Sequence, residues 1–222
     1  MNSRSSVSDN TKVWWCLGLF LLMEIPVRLW LQPDPWLLKP THWYFMQPMR
    51  FFLELGLIVF LVAVIRTMLP QLFVSPRKHL DFLVIGSIGS IVLFGFLEYE
   101  QLKASLSVEA SYWALWFFTG FCIGVGQELT FRGLLFTSLA KRMNKNLAGL
   151  ITTIIFVIAP LHSVRMFDLY AGGHLGVVLL LVAIYFAAGF LFQWLRERTG
   201  GVIVPGVVHG FGNAITWVAV FS

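Results

Sequence analysis

Charge is scarce in this chain. Asp, Glu, Lys and Arg make up 12% of its 222 residues, about half the share of an ordinary soluble domain. Apolar residues reach 58% and the mean hydropathy is +0.78. A globule of this length has too little interior to hide that much apolar surface, which excludes a soluble enzyme and a disordered chain. Cysteine is scarcer still. Cys16 and Cys122 both lie in apolar runs, where sulfur packs as a small hydrophobe, so neither a disulfide framework nor a CxxC metal site can be built. There is no internal repeat, no low-complexity linker and no His-Glu-x-x-His. No A-x-A-like cleavage site follows the first apolar run, which contains Glu24, Pro26 and Arg28; it reads as a retained helix rather than a signal peptide.

What is present is a series of apolar segments near the length of a bilayer crossing. Seven are expected: about 13–31, 51–68, 80–97, 112–140, 147–162, 175–195 and 202–221. None alternates with period two, so the spanning elements are helices. The expected fold is all-α, a polytopic membrane helix bundle of about seven transmembrane helices forming a single domain over 1–222. A further helix or re-entrant piece around 43–47 would raise the count to eight. Segment 112–140 is too long for one perpendicular crossing and is expected to tilt, to bend near Gly124 and Gly126, or to carry its last turns out of the membrane. Segment 99–111 reads equally as a short amphipathic surface helix and as a solvated loop.

The net charge of +5 follows loop chemistry rather than nucleic-acid binding. Arg4, Lys12, Arg66, Arg77, Lys78, Lys141, Arg142, Lys145, Arg196 and Arg198 fall on one side, and Arg28, Lys39, Arg50, Lys103 and Arg165 on the other. Cytoplasmic loops collect Lys and Arg, so the N-terminus is expected in the cytoplasm and the C-terminus outside. Trp14, Trp15, Trp30, Trp36, Trp113 and Trp194 fall near expected span ends, as an interfacial belt would.

Inside a bilayer each ionisable group costs several kcal/mol unless it is paired or faces a cavity. Glu128 and Arg132 stand four apart and share a helical face; taken alone, such a pair can simply neutralise itself. Gln127 points about 100° away around the axis and is expected to address a different surface. His162 ends the fifth span after Ile158-Ala159-Pro160-Leu161, and a lone interfacial His is more often structural than catalytic. His209 and Asn213 again stand four apart; Asn213 either holds the His209 ring or shares a target with it. Gly206-x-x-x-Gly210 fits a close-packing role. Glu24 and Glu54 are also intramembrane, with no role beyond helix pairing. Polar clusters on three separate helices point to one buried site.

These residues are where the chain resembles the CAAX protease and bacteriocin-processing family, also called CPBP or Abi, which includes the CAAX prenyl endopeptidases. Its pattern is Glu-Glu-x-x-x-Arg on one helix, Phe-x-x-x-His on the next and His-x-x-x-Asn on a later one. The resemblance covers roughly 120–214, within a catalytic-motif core of about 112–221, and the approach Gly200-Gly201-Val202-Ile203-Val204-Pro205-Gly206-Val207-Val208-His209 reads like the family's last motif. It implies a glutamic-type intramembrane endopeptidase acting near the C-terminus of a membrane-associated protein. The first Glu of the pair activates water, the Arg pairs with the second, and His and Asn position water and stabilise the oxyanion. Carried over, Gln127 holds the general-base position, Glu128 is the second carboxylate, Arg132 is its partner, and His162, His209 and Asn213 hold the rest.

Two positions depart from the pattern. Ile158 stands where the family has Phe, a packing change. Gln127 has no titratable carboxyl and cannot take a proton from water. An inactivating replacement in an otherwise active protease is the favoured reading; a noncatalytic relative, an immunity factor or scaffold, is the rival. A Glu128 paired with Arg132 would be a weaker base. No cofactor is expected, and zinc carries little weight because Gln is a poor ligand. A transporter is disfavoured by the lack of paired broken-helix repeats. Expected partners are a protein or peptide substrate and the bilayer, not nucleic acid. The substrate is a CAAX-like tail or a C-terminal sorting tag with a transmembrane helix. The short chain favours a prokaryotic plasma membrane.

Overall fold

The computed structural model describes residues 3–31 and 45–221. Those residues are helical throughout, with short turns and no strand. Trp36, Lys39 and the first two residues of the expected re-entrant piece, 43–44, lie outside them; 45–47 form a turn before the helix Met49–Met68. Five helical stretches are long and apolar enough to cross a membrane: Asn10–Leu31, Met49–Met68, Pro70–Leu97, Leu175–Thr199 and Ile203–Phe221. The two other expected spans are different. Segment 112–140 is a continuous helix interrupted by polar groups. Segment 147–162 is broken in two, because Pro160 bars Ala159 from the helical region. The chain resolves into two compact units, Met1–Asp34 with Thr130–Gln193, and Pro35–Leu129 with Trp194–Ser222.

In the first unit, α1 (Ser3–Leu22) runs through a π-helical turn, Met23–Val27, into α2 (Arg28–Leu31). Pro26 lies inside that turn; it has no N–H to give to a regular ladder, and the wider turn accommodates the loss. The unit also contains most of a second π-helical stretch, Leu129–Leu135, leading into α7 (Phe136–Leu139). Then α8 (Lys145–Val157) begins at an Asn144 cap that accepts from the Asn146 N–H at 2.8 Å. α9 (Pro160–Ala171) follows with Pro160 in its first turn, where the missing N–H costs nothing. The greater part of α10 (Leu175–Thr199) completes the unit. His162 therefore opens a helix rather than ending one.

The second unit holds α3 (Met49–Met68), α4 (Leu80–Leu97), the seven-residue α5 (Tyr99–Ser105), α6 (Ala110–Glu128) and α11 (Ile203–Phe221). Segment 99–111 is thus helical over 99–105, turns at 106–109 and enters α6 at Ala110. α11 packs chiefly on α6 and next on α4. Gly200, at φ +70°, turns the chain out of α10 in the left-handed conformation that glycine adopts without strain. Gly201 then lies against the Leu72 carbonyl, and Val202 N–H donates to that oxygen at 3.0 Å.

Two cations expected in loops are inside spans. Arg28 pairs with Glu24 at 3.2 Å, and Arg50 pairs with Glu54. All four side chains are buried. Arg50 also stacks over the Phe45 and Trp217 rings, at 5.0 and 5.5 Å from their centroids. The two glutamates thus pair within their own helices. A buried arginine beside a carboxylate satisfies both charges, whereas composition alone assigns it to a loop.

Candidate active site

In the second unit the C-terminal end of α6 meets α11. Both helices contribute small residues at the crossing. A Cβ on Gly120 would lie 2.6 Å from the Asn213 carbonyl oxygen, and one on Gly124 would lie 2.7 Å from that of His209 and 2.8 Å from Gly210. A Cβ on Gly210 would meet the Phe121 ring at 2.9 Å. The helix backbones are therefore in direct contact. Gly124 is a packing position, not a bend. The irregularity expected near Gly124 and Gly126 falls instead at 129–135.

This close approach brings four of the six expected site residues together. His209 Nδ1 lies 2.8 Å from Glu128 Oε1, and Asn213 Nδ2 donates to Gln127 Oε1 at 3.2 Å. Gln127, Glu128 and His209 are buried. The 100° separation of Gln127 from Glu128 led to an expectation of different targets; the structure corrects it. With the backbones in contact, α11 is near enough for both long side chains of α6 to reach it. Asn213 and His209, four residues apart on α11, each take one.

The pairings constrain the chemistry. A carboxylate only accepts, so an ionised Glu128 takes the Nδ1–H of His209 and orients its ring. When the ring carries a second proton, Nε2–H is a donor. The Gln127 amide accepts through Oε1, which is the oxygen a carboxylate at this position would share with Asn213.

Arg132 and His162 lie in the first unit. Arg132 is fully buried, donates from Nη2 to the Gly189 carbonyl at 2.8 Å, and has the Phe156 ring 4.7 Å and the Phe192 ring 5.6 Å from its guanidinium carbon. Such aromatic faces stabilise a desolvated cation. His162 Nδ1 donates to the Phe156 carbonyl at 2.6 Å; a carbonyl cannot donate, so the proton sits on Nδ1. Its ring stacks on Tyr185 at 4.1 Å and meets the edge of Phe156 at 4.8 Å. Ile158 is 59% exposed; the aromatic neighbour of His162 is Phe156, two residues earlier than the motif suggests. Tyr185 and Phe156 belong to apolar runs and carry no sequence signal of this role. Among the described residues, no three His, Cys, Asp or Glu side chains are grouped as metal ligands.

Residues 109–215 match the family described as type II CAAX prenyl endopeptidase Rce1-like. This part of the chain is similar to the Rce1-like CAAX protease family. The match contains Gln127, Glu128, Arg132, His162, His209 and Asn213, and its Rce1-like character agrees with the resemblance carried by the three motifs. No curated protein and no solved structure matched the chain significantly.

Proposed function

We propose that the chain is an intramembrane endopeptidase of the glutamic CPBP type whose general-base position is occupied by Gln127. The hydrogen bond from Asn213 to Gln127 carries the reading, because it puts an acceptor oxygen beside an oriented histidine at a buried helix crossing. With a carboxylate at 127, water loses a proton to that carboxylate as its oxygen attacks the scissile carbonyl carbon. The Asn213 amide and the His209 ring donate to the developing oxyanion. The carbon–nitrogen bond then breaks, and the amine leaves with the proton returned from residue 127. With Gln127 the first step has no acceptor, so this chain holds the geometry without the base. By the resemblance, His162 and Arg132 hold the family's remaining motif positions.

The family's name points to a CAAX prenyl substrate; a C-terminal sorting tag joined to a transmembrane helix is the other candidate. The test reconstitutes the chain and Gln127→Glu in lipid vesicles with a prenylated CAAX peptide and with a tagged transmembrane peptide, products being identified by mass spectrometry. Gln127→Glu is expected to cleave one of them and the unaltered chain neither. A folded Gln127→Glu protein that cleaves neither overturns the proposal. The second reading, a noncatalytic membrane protein, is favoured by Gln127 itself and then takes its place.

A further inference from the structure

Glu24 is 3% exposed and plays no part in the reaction above. Its Oε1 takes both of its protein partners, Arg28 Nη2 at 3.2 Å and Thr130 Oγ1 at 2.6 Å. Its Oε2 accepts from no described residue. The same side chain lines an apolar cavity of about 600 Å³ in the first unit. Trp14, Gly18 and Leu21 of α1, Phe131 and Leu135 of the second π-helical stretch, and Ile158 form much of its wall. The two π-helical segments, Met23–Val27 and Leu129–Leu135, meet there through the Thr130–Glu24 bond. Such turns are well under 1% of residues and recur at functional sites.

A carboxylate in the wall of an apolar cavity selects its ligand. It accepts and never donates, so the ligand must bring a donor. Arg28 already balances the Glu24 charge. A cationic head would therefore leave an excess charge out of water, and an acidic head would face a second carboxylate. A neutral hydroxyl meets both conditions. The cavity volume lies within the range of small-molecule sites, and its apolar wall suits a hydrocarbon chain.

We propose that this cavity binds a single-chain membrane amphiphile with a neutral hydroxyl head, its chain against the apolar wall and its hydroxyl donating to Glu24 Oε2. The proposal uses neither Gln127 nor Asn213 and stands whether or not the chain is a protease.

Native mass spectrometry of the full chain released from detergent micelles tests it, with dodecanol, dodecylamine, dodecanoate and dodecane as probes. One dodecanol per chain is expected, bound about tenfold more tightly than dodecane, as one hydrogen bond to a charged group provides. The amine and the acid are expected below the alcohol. Gly18 lines the cavity and a Cβ there meets nothing within 4 Å, so Gly18→Leu adds bulk at the cavity wall. It should weaken dodecanol at least about tenfold while keeping the native circular dichroism. In Glu24→Gln, Arg28 and Thr130 hold the amide oxygen and turn Nε2 toward the cavity, so dodecanoate should overtake dodecanol. If that variant fails to fold, Gly18→Leu decides. Equal binding of all four probes, tightest binding of the amine, or undiminished dodecanol binding by Gly18→Leu overturns the proposal.

Discussion

At the scale of single residues, the polar groups divide by what they touch. Glu128 orients His209 and Asn213 holds residue 127, so these contacts can be tested once a base is present. In the Gln127→Glu background, His209→Ala or Asn213→Ala should each lower kcat by about 10²–10³-fold, the usual loss for one oxyanion donor. Turnover of the peptide substrate with a melting curve in parallel is the check; equal loss of fold and activity would mean a structural role. The six candidate residues stand out in the sequence because charge and amide groups are conspicuous in apolar runs, and four of them meet at one helix crossing. Their partners stand out less. Arg28 and Arg50 passed for loop cations, since a count of Lys and Arg cannot tell that each has a glutamate four residues away on the same buried face. Phe156 and Tyr185 carry no mark that separates them from any lipid-facing aromatic.

At the scale of helices, the crossing of α6 and α11 depends on absent side chains. Gly124→Ala places a methyl group 2.7 Å from the His209 carbonyl oxygen and 2.8 Å from Gly210; those atoms are backbone and cannot swing aside. A loss of about 1–3 kcal/mol is expected, as for other overpacked sites. Gly56→Ala is the control, because nothing lies within 4 Å of its Cβ and alanine is the better helix former. Thermal unfolding in detergent should separate the two, and an unchanged Gly124→Ala would mean that the crossing is looser than described. Periodicity made the helices legible, while their interruptions were less so. Pro160 announces the break before α9, yet no residue announces the π-helical stretch at 129–135. There hydrogen bonds run five residues back, so the rule that residues four apart share a face loses its basis between Glu128 and Arg132.

At the scale of the whole molecule, spanning helices and charge asymmetry describe a protein that lives in a bilayer. A cytoplasmic N-terminus is the expectation from the Lys and Arg count, and labelling tests it. Lys78, in the short helical turn Pro76–His79, and Lys103, in α5, lie beyond opposite ends of α4. In intact cells of a background lacking Cys16 and Cys122, an impermeant thiol reagent should label Lys103→Cys and spare Lys78→Cys. The opposite pattern would invert the topology. The pairs Glu24–Arg28 and Arg50–Glu54 also bear on biogenesis. Each span carries its own counter-ion one turn away, so it enters the bilayer as a nearly neutral rod before any neighbour has arrived. Membrane insertion of these two helices need not wait for tertiary folding.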